Sequence, residues 1–200
     1  MPFSALPIKN HNPFPGRKYL FDANAWIFVL EADLELKQST TSKADLYIDL
    51  LGKINQAGSP KPKVVLPAIV LSEVVNRLLR SYYFPLFVEQ HKTLITSGSD
   101  SQNYKQVYRP HHQFRIDYEV ILYNIKAYHN ILELVSDGFG EMSVRNVFTK
   151  PDNTLDFNDY LLVDIAKRNN FIVVSDDGDL AGRDITVVTG NQAMLRWQAT

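Results

Sequence analysis

Carboxylates in this 200-residue chain are mostly short and clustered. Of its 22 acids, 15 are Asp and seven Glu, and eight of the Asp fall between Asp152 and Asp184. Asp22 closes the apolar run Tyr19-Leu20-Phe21, and Asp176 and Asp177 directly follow Ile172-Val-Val-Ser175, with Asp179 in the same turn. Glu73 lies about two turns into a helical pattern that follows Val64-Val-Leu66, with apolar Ile69 and Val70 at i−4 and i−3. Asp156 and Asp159 open another helical pattern, and a spacing of three residues sets them roughly 60° apart around its axis, on one face. Four or more carboxylates converging on one sheet edge repel strongly unless a cation is present. An all-oxygen set of Asp and Glu suits the hard divalent cations Mg2+ and Mn2+. Two such ions roughly 3.5–4 Å apart can activate water and stabilise the leaving oxygen in phosphodiester cleavage.

Each of these residues has a plainer reading as well. Asp22 and Asp156 are placed to cap the helices that follow them, and for Asp156 the cap is preferred. Glu73 could pair with Arg77 at i+4. Asp164, about 140° around the helix from Asp159, points instead toward Arg168 at i+4. Asp176, Asp177 and Asp179 share one turn and cannot all face one ion. Asp177 is preferred there, with Asp176, Asp179 and Asp156 as secondary candidates. Tyr104, Lys105, Tyr108, Arg109, His111, His112 and Arg115 interleave rings and cations, a pattern that can stack bases and bind phosphate. Lys105, Arg109 and Arg115 are the candidate substrate contacts, although a solvated face over core tyrosines is the preferred account of this stretch. His111-His112 lacks a third ligand at metal-site spacing. Ser4, Ser72 and Ser175 have no histidine at a spacing that suggests a serine hydrolase.

The elements that must position the carboxylates alternate along the chain. Tyr19–Phe21 reads as a strand and a helix begins near Asn24; a second helical pattern carries Leu46, Leu50, Leu51 and Ile54, after a polar stretch at 37–43. Gly58-Ser-Pro-Lys-Pro is a turn. Val64–Leu66 is a strand, and Pro67 starts a helix from Ala68 to about Arg80. Residues 96–103 read as a polar loop. A long helix is predicted over Phe114–Val135, with Ile116, Val120, Tyr123, Ala127, Ile131 and Leu134 on its inward side. Pro151 marks a loop, Asp156–Lys167 a helix, and Phe171–Ser175 and Ile185–Val188 are strands. Short apolar strands alternating with helices predict an α/β domain whose mostly parallel sheet is covered on both faces. Residues 1–17 are expected to form a Pro-rich arm, because prolines at this density oppose helix and sheet. Residues 18–200 are expected to form a single domain with a helical insertion at about 81–150.

Composition narrows the functional classes. The chain has no cysteine, which excludes disulfides, thiolate zinc sites, iron–sulfur clusters and a Cys nucleophile. A net charge of −1, from 21 Lys+Arg against 22 Asp+Glu, argues against a broadly basic nucleic-acid coat and a polybasic membrane binder. No apolar run approaches the length of a membrane span. Met1–Lys18 carries four of the ten prolines and no apolar h-region, so no signal peptide and a cytoplasmic location are expected. Two bound divalent cations would cancel four negative charges and leave the pocket open to phosphate.

Four segments in order resemble the PIN-domain ribonucleases. Tyr19-Leu-Phe-Asp22-Ala-Asn24-Ala-Trp-Ile is similar to their opening strand, and Leu66-Pro-Ala-Ile-Val-Leu-Ser72-Glu73-Val to their second motif. Asp159-Tyr-Leu-Leu-Val-Asp-Ile-Ala166 resembles the third, and Phe171-Ile-Val-Val-Ser175-Asp-Asp177-Gly-Asp179-Leu the fourth. The most similar branch is the VapC-like toxins of bacterial toxin–antitoxin pairs. The resemblance implies a three-layer α/β/α fold, a Mg2+ or Mn2+ cofactor held by Asp22, Glu73, Asp159 and Asp177, and Asn24 and Ser175 as supports that orient carboxylates. It also implies endonucleolytic cleavage of single-stranded or looped RNA to a 5′-phosphate and a 3′-hydroxyl, an antitoxin protein as partner, and a homodimer. The chain departs from compact members in the spacing of Asp22 and Glu73, which are 51 residues apart, and in the insertion. One rival is a non-catalytic PIN-like module that binds RNA or protein. Another is a phosphotransfer protein of the haloacid-dehalogenase or receiver type, but the late strands end in Ser175-Asp176-Asp177 and Thr189-Gly190 without the Lys that chemistry needs.

Overall fold

The computed structural model describes residues 2–33, 42–143 and 155–197. Most of the polar stretch at 37–43, Pro151 and Asp152 lie outside them. Among the described residues, six strands form one sheet: β1 (Ser4–Pro7), β2 (Lys18–Phe21), β3 (Lys63–Pro67), β4 (Leu132–Val135), β5 (Ile172–Val174) and β6 (Thr186–Thr189), in the order β1-β6-β5-β2-β3-β4. Every pairing is parallel. Strands buried on both faces need continuous apolar runs, which Tyr19-Leu-Phe21, Val64-Val-Leu66 and Ile172-Val-Val174 supply; all nine residues are buried.

Helices complete a three-layer α/β/α arrangement, consistent with the PIN-like architecture expected from the sequence. Helix α1 (Ala23–Asp33) packs against α2 (Ser42–Gln56), α3 (Ala68–Leu78) and α6 (His112–Lys126). Helix α2 turns Tyr47, Leu50, Leu51 and Ile54 inward, and Tyr47 stacks on Phe28 of α1 at 5.4 Å. Between α3 and α6 run α4 (Phe84–Gln90) and the short α5 (Asp100–Asn103), held over an aromatic cluster of Phe84, Phe87, Tyr104, Tyr108 and Phe114. Helices α7 (Phe157–Asn169) and α8 (Gln192–Trp197) follow.

The chain leaves β2 for β3 and β4 on one side, then returns to β5 on the other side of β2. The carboxyl ends of β2 and β5 therefore flank the point where the winding reverses, which is where open α/β sheets bind ligands. Register fixes what stands there. Phe21 pairs with Val174, so the next residues, Asp22 and Ser175, leave the sheet side by side.

Three sequence expectations are corrected. Within the expected N-terminal arm, Ser4–Pro7 is a strand of the sheet; it lies on the edge, where proline costs no ladder hydrogen bond, and Ile8 and His11 behind it are buried. The long helix expected over Phe114–Val135 ends at Lys126, and Leu132–Val135 is strand β4, because pairing with β3 overrides a pattern that reads equally as helix. The inward face of α6 is Asp117, Ile121 and Ile125, whereas Ile116 and Tyr123 are exposed. Buried Asp117 accepts from Tyr108 Oη at 2.7 Å and from Gln113 Nε2 at 2.8 Å, and its polarity hid that face from an apolar count. In the loop expected at 96–103, Asp100–Asn103 is a helical turn capped by Ser99.

Candidate active site

Asp22 occupies the junction of β2 and α1, and its carbonyl accepts from Trp26 N as a helix start requires. Its side chain does more than cap. It is buried, with one oxygen accepting from Ala23 N at 2.5 Å and the other from Ser175 Oγ at 2.8 Å. Ser175 is wholly buried at the end of β5, and its Oγ accepts in turn from Asp177 N at 3.0 Å. One hydroxyl thus ties the two strand-end aspartates together.

Asn24 makes a second tie. Its Nδ2 lies 3.5 Å from Asp22 Oδ2 and 3.4 Å from Asp177 Oδ2, while its Oδ1 accepts from Arg77 Nη1 at 2.6 Å. Arg77 sits one helical turn past Glu73 but forms no ion pair with it among the described residues. Glu73 Oε2 accepts from Asn158 Nδ2 at 3.2 Å. Asp156 caps α7, its Oδ1 accepting from Asp159 N at 2.9 Å, so the plainer reading of that residue holds. Asp22, Glu73, Asn158 and Asp159 line one narrow crevice with Ile69, Val70 and Leu162.

The carboxylates feel one another. Burial, followed by weaker repulsion from Glu73 and Asp177, pushes Asp22 up to about 6 despite its hydrogen bonds from Ser175 and Ala23. Half-buried Asp159 is pushed up to about 7, first by loss of solvent and then by Asp156, Asp22, Asp177 and Glu73. Asp22 and Asp159 thus both feel the charges of Glu73 and Asp177. The donor set fits a hard divalent cation in its chemistry, being all oxygen and short of counter-charge. Among the described residues, however, no three acids or histidines are grouped closely enough to enclose one ion.

The remaining candidates separate. Asp176 faces away, with Lys43 Nζ at 2.6 Å and Tyr47 Oη at 3.3 Å. Asp179 is exposed, and its amide donates to Asp177 Oδ1 at 3.0 Å. Asp164 pairs with Arg168 at 2.6 Å as its spacing predicted. Tyr104 and Tyr108 are core residues, Lys105 and Arg109 are exposed beside them, and Arg115 reaches Glu119 at 3.6 Å. Two polar residues at the site were not singled out for it from sequence. Arg77 carried a signal in its spacing from Glu73, but toward a different partner; Asn158 had none beyond its place beside Asp159.

No helix among the described residues is long and apolar enough to cross a membrane. No family model matches the chain, and no curated protein matches it. Among solved structures, it is similar to VapBC2 from Rickettsia felis bound to a DNA fragment from their promoter, at 13% identity and a TM-score of 0.45, over 86% of this chain and 98% of that one. It is also similar to PAE2754 from Pyrobaculum aerophilum, at 13% identity and a TM-score of 0.43, over 92% of each chain. Similarity at this level concerns the path of the chain and says nothing of the chemistry at the site.

Proposed function

We propose that the chain is a metal-dependent endoribonuclease, with Mg2+ or Mn2+ held by Asp22, Glu73, Asp159 and Asp177. The observation that carries this reading is the crevice shared by Asp22, Glu73 and Asp159 at the reversal point of the sheet, with Asp177 linked to Asp22 through Asn24 and Ser175, and with Asp22 and Asp159 both pushed up partly by their acidic neighbours. Structural carboxylates are ordinarily paired with cations, as Asp164 and Asp176 are here. Asp22, Glu73 and Asp177 are tied instead by neutral donors that leave their charge uncancelled. When bound, divalent cations would supply activation of water and stabilisation of the leaving oxygen. Ser175 and Asn24 hold Asp22 and Asp177 in place, Asn158 holds Glu73, and Arg77 brings a cation to the mouth of the site for a phosphate.

The absence of a ready-made three-acid cluster among the described residues favours a second reading, a non-catalytic PIN-like module that binds RNA or protein. Cleavage of a labelled single-stranded RNA in Mn2+ or Mg2+, against EDTA, separates the two. Asp22→Asn and Asp177→Asn are each expected to abolish cutting; variants that both cut as well as the parent would overturn the nuclease. A toxin role, an antitoxin partner and a homodimer belong to the same proposal and rest on the resemblance of the sequence motifs; a cytoplasmic location is proposed with them. Light scattering of the purified chain tests the dimer.

A further inference from the structure

A groove of about 840 Å³ opens beside the carboxylates and shares Ile69, Glu73 and Asn158 with their crevice. One wall is the face of α3 and the turn after it, where Glu73, Arg77 and Arg80 follow at spacings of four and three, a run of roughly 10 Å along the axis. The other wall carries Phe139 and Phe157. Each ring is 51% exposed, and the two meet edge to face at 6.2 Å. Phenylalanine this exposed at the start of a helix and in a short turn does not serve the core. Arg80 is also prepared for a ligand: its guanidinium lies over the Tyr104 ring at 4.5 Å, and no carboxylate among the described residues pairs with it. Stacking fixes the plane of the guanidinium and leaves its N–H groups available to an anion.

We infer that this groove is a track for single-stranded RNA leading to the carboxylate site, with Phe139 and Phe157 stacking bases and Arg80 holding a backbone phosphate. Exposed rings opposite fixed cations are the two components of sequence-tolerant single-strand binding. A protein partner would be favoured by a lining that is apolar throughout, but here Ser72, Asn76, Arg77 and Asn158 stand among the apolar residues. Duplex RNA would present phosphates and sugars but no free base faces to the two rings. The choice of ligand rests on the nuclease reading, while the track is tested without catalysis.

The test is fluorescence anisotropy of a 5′-labelled decauridylate in EDTA, with the full chain and its variants. Phe139→Ala and Phe157→Ala are each expected to weaken binding roughly 5- to 100-fold. Phe139→Tyr and Phe157→Tyr keep a π face and are expected to bind within about threefold of the parent. Arg80→Gln is expected to weaken binding and to lower the salt slope by roughly 0.7, the value for one lost phosphate contact on a single strand. A parent chain that does not bind, alanine variants that bind like the parent, or tyrosine variants as weak as the alanine ones would each overturn the track. Cleavage in Mn2+ is read separately: tight, ring-dependent binding without cleavage overturns the nuclease and leaves the track, and cleavage with ring-independent binding does the reverse.

Discussion

Arg77 Nη1 donates to Asn24 Oδ1 across 2.6 Å, and that contact decides which way the Asn24 amide faces. A guanidinium has donors only, so the atom opposite it must be the amide oxygen, and the NH2 group is left for Asp22 and Asp177. Arg77→Met frees the amide to turn its oxygen toward two carboxylates. Groups that orient metal ligands typically matter 10- to 100-fold in affinity, and a loss of that order in Mn2+ binding is expected for Arg77→Met and for Asn24→Ala. Arg77→Lys retains a donor and is expected to fall between. Calorimetric titration with Mn2+ measures this, and unchanged affinity in Asn24→Ala would remove Asn24 from the site.

Asp22 at about 6 and Asp159 at about 7 make the metal-free protein sensitive to pH in a defined direction. An aspartate ordinarily titrates at 3.8, so between about pH 4 and 7 the folded chain binds more protons than the unfolded one, and its stability falls as pH rises. For buried Asp22 the displacement corresponds to about 3 kcal/mol at most. Metal-free protein is therefore expected to melt at a lower temperature at pH 8 than at pH 5, with Mn2+ restoring the loss at pH 8 and doing little at pH 5. Asp159→Asn is expected to raise the metal-free melting temperature at pH 8. Thermal melts at the two pH values, with and without Mn2+, check the sign.

Ser175 links β5 to Asp22 and Asp177 through one buried oxygen. Ser175→Ala removes the O–H donor to a carboxylate that has little access to water, and leaves Asp177 N without its acceptor. A cost of roughly 1–3 kcal/mol is expected in urea unfolding. Loss of that donor also pushes Asp22 further up, so Mn2+ binding is expected to need a higher pH. Ser175→Thr keeps the hydroxyl and is expected to hold the pH profile nearer the parent's.

Strand-end positions were legible because each combines a short β-branched or aromatic run with an abrupt polar residue, as in Tyr19-Leu-Phe-Asp22 and Ile172-Val-Val-Ser175. Elements whose burial is not apolar were not. Asp117 is buried with tyrosine and glutamine donors, so the inward face of α6 reads as outward. Leu134 lies on an edge strand and is 76% exposed, so an apolar residue there signals a core that is absent. Arg77 was legible as a partner at i+4, yet its partner comes from 53 residues earlier, a choice that only the packing of α1 on α3 makes.

The turn after β5 offers a final discrimination. Asp176 and Asp177 are adjacent and carry the same side chain, but Asp176 is engaged by Lys43 at 2.6 Å and by Tyr47, while Asp177 faces Asn24. Asp176→Asn therefore removes an ion pair whose lysine is half exposed, a loss of about 1 kcal/mol or less. Its Mn2+ affinity is expected to match the parent's. Asp177→Asn is expected to lose Mn2+ binding, and to raise the metal-free melting temperature at pH 8 because one repulsion on Asp22 and Asp159 is gone. Equal loss of Mn2+ affinity in both variants would mean that the turn rearranges on binding and that Asp176 leaves Lys43 to join the site.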